Sequence, residues 1–334
     1  PVCFPTAGLR TLGSLQPDKD LPMLHRLVLP FALLFSLNAA HAAEAEKWYP
    51  SKYGAKDEIG ALNLLNAESV LNAATLIKTG KTYPLAVPID KNLPAFRHRS
   101  FHLTNIQPGE AGGTTMGPNK FTFNDELVVG WTGVGTQLNG IGHIGIDNVY
   151  YNGNRAADFV TVEGVQKLGI EKVPPIVTRG VVLDMTAVYG SAIVPEKTEF
   201  SVADIQKALD LQGITIQKGD VVLFNTGWLE LLGKDNEKFL AVEPGIGMAA
   251  AKWLADKQIV AFGGDTWASE IYPGTDGQEF PVNQFMLAKN GIYNLELIDS
   301  RALVRDKAWA FMFVLGQPLY KGSTQVNINP VAIR

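Results

Sequence analysis

The sequence predicts an α/β protein built as a single mixed-sheet domain with flanking helices. Three observations predict it. In the second half, short apolar runs bounded by Gly, Asp or Asn alternate with segments of helical period. The first half is irregular and β-rich. No internal repeat and no low-complexity linker divides the chain.

Taken in order, 66–78 reads as a helix, with Val70, Leu71, Ala74 and Leu76 near one face, and 82–87 as a strand. Residues 92–119 are rich in Gly, Pro and polar side chains without a sustained period, so they read as a long loop of the kind that serves function. A strand follows at 127–131, then a glycine-rich stretch through Gly145. Further strands are expected at 181–185, 221–224, 259–262, 292–295 and 308–315. Ser201 is an N-cap, with Asp204 at the third helical position and Ile205, Ala208 and Leu209 facing inward. Residues 247–255 and 285–289 are expected to be helical.

The N-terminus reads differently. Met23-Leu24-His25-Arg26 is a short positive start, 27–37 is apolar apart from Pro30 and Ser36, and Ala40-His41-Ala42 has the small–x–small pattern of a signal-peptidase site. The expectation is an upstream translated segment over 1–22, a signal peptide over 23–42 and the folded domain over 43–334. The protein would then be periplasmic or secreted, with no membrane attachment after signal removal, because the apolar run is too short to span. The only cysteine is Cys3, so the expected mature chain has no thiol or disulfide. Of the 334 residues, 46% are hydrophobic and 19% charged, and the formal charge of −4 with no Lys/Arg cluster argues against a nucleic-acid partner.

Familiar sites are missing. There is no Gly-x4-Gly-Lys loop and no Gly-x-Ser-x-Gly elbow. Gly245-Ile246-Gly247-Met248-Ala249-Ala250 matches a loose dinucleotide fingerprint, but Glu243 and Pro244 stand where a strand should enter the turn, and a helix start explains it better. His98 and His102, beside Pro94, Arg97 and Arg99, read as a solvated loop. His143 lies in the glycine-rich run from Gly133 and is an acid/base candidate or a structural histidine. Asp184, Asp265 and Glu296 follow apolar runs at strand ends, where open α/β sheets place their sites; a capped or salt-bridged carboxylate is the alternative.

These residues resemble those of the cyclase family, whose members include bacterial kynurenine formamidases and isatin hydrolase. The run 133–143 is similar to His-x-Gly-Thr-His-x-Asp-x3-His, in the branch written Gly-Thr-Gln-x-Asp-x3-His and followed by Tyr-Asn-Gly: here Gly135-Thr136-Gln137, His143 and Tyr151-Asn152-Gly153. The likeness continues through Arg179-Gly180-Val181-Val182-Leu183-Asp184, Asn225-Thr226-Gly227-Trp228, Gly264-Asp265-Thr266-Trp267 and Gly291-Ile292-Tyr293, covering about 50 to 334. The resemblance implies the swivelling β/β/α cyclase fold and a metal-dependent hydrolase, a homodimer or larger. It also implies a divalent cation, zinc or manganese, at the positions of Gln137, Asn139, Asn283 and Glu296, with His143 as acid/base.

This chain departs from that pattern. Gly133 replaces the first histidine, Asn139 the aspartate and Asn283 a later histidine; only Glu296 and His143 are unchanged. Neutral amides are weak ligands for zinc or manganese, and removing one charge beside a dication costs on the order of several kcal/mol. The expected activity is hydrolysis of a cyclic amide, lactone or aryl formamide on a small-molecule substrate. His143 would activate water, Thr136 and glycine amides would hold the oxyanion, and Trp131, Tyr150, Tyr151 and Trp267 would wall the pocket. The alternatives are metal-free acid/base chemistry by His143 with Glu296 or Asp265, and a relative that only binds its ligand.

Overall fold

A computed structural model describes residues 47–106, 113–274 and 276–334, so the segments expected upstream and as a signal peptide lie outside the described residues. The strands of three or more residues are β1 (Thr82–Pro84), β2 (Phe101–Ile106), β3 (Asp125–Gly130), β4 (Gln137–Asn139), β5 (Ile176–Asp184), β6 (Val221–Asn225), β7 (Ala261–Gly264), β8 (Tyr293–Glu296), β9 (Ala310–Leu315), β10 (Gln325–Asn327) and β11 (Val331–Ile333). Nine of them form one sheet in the order β1-β11-β9-β5-β6-β7-β8-β4-β10. Strands β5, β6, β7 and β8 are parallel neighbours, and every other pairing in the sheet is antiparallel.

The parallel centre follows from composition. Val181-Val182-Leu183 and Val221-Val222-Leu223 are fully buried, as expected for strands covered on both faces. On β9 burial alternates, with Phe311, Phe313 and Leu315 inward.

Helix α1 (Ala67–Ala74) opens with Asn66 and Ser69 capping each other, and α2 (Val202–Gln212) with the Ser201–Asp204 capping box. Helix α2 buries Ile205, Ala208 and Leu209 and stops at Gly213 in the left-handed region. Helix α3 (Met248–Asp256) follows Gly245–Ile246, which pairs with Glu199–Phe200. A Cβ on Gly247 would run into the Glu199 carboxylate. An anion already stands at this helix start, which is why the fingerprint there is not a phosphate cradle.

The expected loop over 92–119 needs correction. Within it Phe101–Ile106 is a strand, paired antiparallel with Asp125–Gly130. Both strands are exposed along nearly their whole length. With no buried face, neither strand carries the alternation that marks a half-buried strand in sequence.

Candidate active site

At one end of the sheet, three polar–apolar–polar triplets lie side by side. Gln137-Leu138-Asn139 on β4 pairs with Asn294-Leu295-Glu296 on β8 and with Gln325-Val326-Asn327 on β10. Side chains alternate across a sheet. Leu138, Leu295 and Val326 therefore enter the core and are fully buried. The six polar side chains share the opposite face in two rungs, Glu296–Gln137–Asn327 and Asn294–Asn139–Gln325.

Glu296 is 6% exposed. Its Oε2 accepts from Gln137 Nε2, and its Oε1 accepts from Asn139 Nδ2 at 2.6 Å and Asn294 Nδ2 at 2.9 Å. Burial pushes its proton affinity up, to a pKa of about 8, against the opposing pull of the Arg99 charge and of the two amides of Gln137 and Asn139. The Gln325 amide nitrogen bonds Asn139 Oδ1 at 3.0 Å and His143 Nε2 at 2.9 Å. A continuous chain thus runs His143–Gln325–Asn139–Glu296. Burial, reinforced by Arg99, lowers the His143 pKa to about 4, so the imidazole is neutral at ordinary pH. The Gln325 carboxamide sets its tautomer: nitrogen toward the ring leaves the proton on Nδ1, whereas a half-turn of the amide leaves Nδ1 as the free lone pair.

Asn283 joins the same network. Its Nδ2 donates to Glu270 Oε1 at 2.6 Å and to Ala268 O at 3.0 Å, and its Oδ1 accepts from Asn294 Nδ2 at 2.8 Å. These residues open on a cavity of about 190 Å³ lined by Gln137, Asn139, His143, Asn283 and Glu296, and by Arg99, Phe96, Trp267 and Phe280. Phe96 stacks on Trp267 with centroids 5.0 Å apart, and Phe280 meets both rings edge-on. Glu243, fully buried, accepts the backbone N–H groups of Trp267 and Ala268 at 2.9 and 3.0 Å and so fixes this wall.

Among the sequence candidates, the structure brings Gln137, Asn139, His143, Trp267, Asn283 and Glu296 together. The others stand elsewhere. Thr136 is fully buried, with its hydroxyl donating to Leu297 O at 2.6 Å and accepting from Val87 N at 2.9 Å. It ties two loops together and does not line the cavity. Thr136→Val is expected to cost about 1–3 kcal/mol of stability, for the unpaired Val87 N–H and Leu297 carbonyl, and to leave turnover per folded molecule within about twofold. A urea titration beside an activity assay checks both.

Tyr151 is buried, its hydroxyl bonded to Asp57 and Ser51. Tyr150 packs edge-on against Phe159, and Trp131 is 45% exposed beside His98. None of the three lines the cavity. Asp184 caps the turn at Thr186, and Asp265 accepts from Thr226 and Trp228. Arg99, Phe96, Phe280 and Gln325 went unassigned in the sequence. Only Gln325 left a signal there, the Gln-Val-Asn alternation that repeats Gln137-Leu138-Asn139.

The positions that would bind the family's cation do not fit one. Three of the four carry neutral amides whose nitrogens are already committed to Glu296 or Glu270, and among the described residues no group of three or more His, Cys, Asp or Glu could hold an ion. A guanidinium, itself a cation, lines the same cavity.

Burial also raises the pKa of Asp220 to about 7, Asp265 to about 6 and Glu270 to about 7. Together with Glu296 these groups hold protons in the folded state above the ordinary carboxylate range, so stability falls as pH rises through their folded values. His143 acts oppositely, adding stability from about pH 4 to its unfolded value of about 6.5 and nothing above. From pH 6.5 to 8.5 only the carboxyls count. The melting temperature should drop by about 5 °C, for a loss on the order of 3 kcal/mol. A calorimetric series at constant ionic strength showing a flat or rising melting temperature would contradict this.

No curated protein matches the chain. A solved structure described as a novel cyclase is 28% identical, with a TM-score of 0.78 over 85% of this chain and 98% of that one. Isatin hydrolase A from Ralstonia solanacearum shares the fold at 17% identity, TM-score 0.58, over 76% and 92% of the two chains. An isatin hydrolase bound to the product analogue thioisatinate does so at 18% identity, TM-score 0.57, over 80% and 98%. The Cyclase family model matches residues 83–271, more than half of the sequence, and the chain belongs to the cyclase family.

Proposed function

We propose that this chain is a hydrolase that adds water across the acyl C–N or C–O bond of a cyclic amide, a lactone or an aryl formamide, using its own acid and base in place of a dication. The observation that carries this reading is the hydrogen-bonded chain His143–Gln325–Asn139–Glu296 on the wall of a small cavity faced by aromatic rings. A neutral imidazole and a protonated carboxyl at one site are a base and an acid separated by environment. With the Gln325 amide turned over so that its oxygen accepts from Nε2–H, His143 takes a proton from the attacking water on Nδ1; Glu296 gives its proton to the leaving nitrogen or oxygen as the acyl bond breaks. The imidazolium then returns a proton to the Glu296 carboxylate through solvent, and the acid formed gives its own proton to solvent and leaves as the carboxylate. That isatin hydrolases share the fold is consistent with a compact ring carbonyl substrate.

The test is a panel of lactones, cyclic imides and aryl formamides assayed on chelator-treated protein. Wild type should turn over at least one class, with no gain from zinc or manganese, and His143→Ala should lose about 100- to 10,000-fold. Turnover that appears only on adding metal would restore the family's dication to the site. Failure on every substrate would leave a protein that only binds its ligand.

A further inference from the structure

Position 133 is where the family pattern has a histidine and this chain has glycine. The room is not empty: an ideal Cβ on Gly133 would sit 2.6 Å from Arg99 Nη1 and 2.6 Å from Gln325 Oε1. A guanidinium and an amide occupy the volume of the missing side chain. Arg99 is partly buried and lines the cavity with Glu296 and His143. Among the described residues its guanidinium makes one hydrogen bond, from Nη1 to Gly133 O at 3.3 Å, which leaves most of its five donors without a hydrogen bond there. It has no ion-pair partner among the described residues. Glu296, the carboxyl of this cavity, is held by three amides instead.

Two more polar atoms on lining residues are buried and without a hydrogen-bond partner among the described residues. They are Gln137 Oε1, an acceptor, and Trp267 Nε1, a donor. Arg99, its guanidinium carbon 5.8 Å from the centroid of the Phe96 ring, lines a space of about 190 Å³ together with Gln137, Phe96, Trp267 and Phe280. That is below the roughly 300 Å³ at which drug-sized pockets begin, so it suits one ring with a small substituent. Unpaired buried polar atoms are rare unless a ligand or water answers them.

We infer that the cavity binds a single-ring aromatic carboxylate without a metal, and that Arg99 is the residue that holds its carboxylate. The ring lies against the three aromatic side chains, and a second polar substituent is met by Trp267 Nε1 and Gln137 Oε1. This rests on the hydrolase reading only in that ring opening makes such a carboxylate. Arg99 then supplies the fixed positive charge that a dication supplies elsewhere, first to the oxyanion formed by water attack and then to the product.

Calorimetric titration of chelator-treated full-length protein with benzoate and with its neutral analogue benzamide tests this. Wild type should bind benzoate at least about tenfold more tightly than benzamide, and less tightly as salt rises. Arg99→Met should weaken benzoate about 10- to 100-fold and move benzamide by less than about threefold, while Arg99→Lys should recover part of the loss. Equal binding of the two ligands by wild type, retained benzoate affinity in Arg99→Met, or binding that needs added zinc or manganese would each overturn it. Should Arg99→Met fail to fold, the wild-type comparison and its salt dependence decide alone. Benzoate binding without turnover of any ring substrate leaves Arg99 standing and ends the hydrolase reading. Turnover that benzoate does not inhibit does the reverse.

Discussion

Glu296→Gln lowers turnover about 100- to 10,000-fold and leaves the fold in place. The glutamine matches the protonated glutamic acid in size and neutrality: its oxygen can accept from Asn139 and Asn294, and its nitrogen can donate to Gln137 Oε1 once that amide turns over, so its stability should fall within about 1 kcal/mol of wild type. What it lacks is the proton for the leaving group. Wild-type activity should be flat up to the Glu296 pKa of about 8 and fall above it as the acid ionises; in Glu296→Gln the residual rate should lose that alkaline limb. Glu296→Ala is a different experiment. It strands the amide nitrogen of Asn139 and leaves that of Gln137 only a 3.5 Å contact to Asn139 Oδ1, and with the void it opens should cost on the order of 3 kcal/mol or more. A Gln variant with full activity and an unchanged alkaline limb would remove Glu296 from the chemistry.

Asp265→Ala has the largest expected effect on stability. Asp265 is fully buried, accepting from Thr226 N at 2.9 Å, Thr226 Oγ1 at 2.7 Å and Trp228 N at 3.1 Å. Removing it leaves the Thr226 N–H and hydroxyl without their acceptor, reduces Trp228 N–H to the Thr226 Oγ1 contact at 3.2 Å, and opens a void beneath the turn that carries Trp228. The loss should be about 3–5 kcal/mol in a urea titration, with Asp265→Asn, which keeps an acceptor and the volume, losing about half as much. The next residues along the chain, Thr266 and Trp267, lead into the cavity wall, so ligand binding should weaken as well. A loss under about 1 kcal/mol would mean that the turn holds without its carboxyl.

The contrast between these carboxylates explains what was legible beforehand. Asp184, Asp265 and Glu296 look alike in sequence, each ending an apolar strand. The difference is which face and which neighbours they meet, and that depends on pairing with residues far along the chain. Local signals were dependable where the cause is local: the Ser201–Asp204 cap and the apolar stripe of α2 are read from adjacent residues. Trp131, Tyr150 and Tyr151 lie near His143 in sequence, which points them to the pocket, but the chain turns away and their rings pack elsewhere. Phe96 and Arg99, by contrast, come from a stretch that reads as solvated loop, and nothing in its composition says that it folds over the end of the sheet. The amide-for-histidine substitutions were visible residue by residue; that a guanidinium fills the gap at Gly133 was not.

The three-strand polar grid has a consequence for the order in which the molecule assembles. Its rungs join residues 159 positions apart at Gln137 and Glu296, and 186 apart at Asn139 and Gln325. Contacts of that span form late, after the loop-closure entropy of the intervening chain has been overcome. A growing chain that has made only its first two hundred residues holds β4 but neither partner strand, and therefore has no site at all. Reactivity arrives with the last strands, all at once. A limited-proteolysis time course during refolding should find that ligand-dependent protection appears together with protection of residues 293–327, not before.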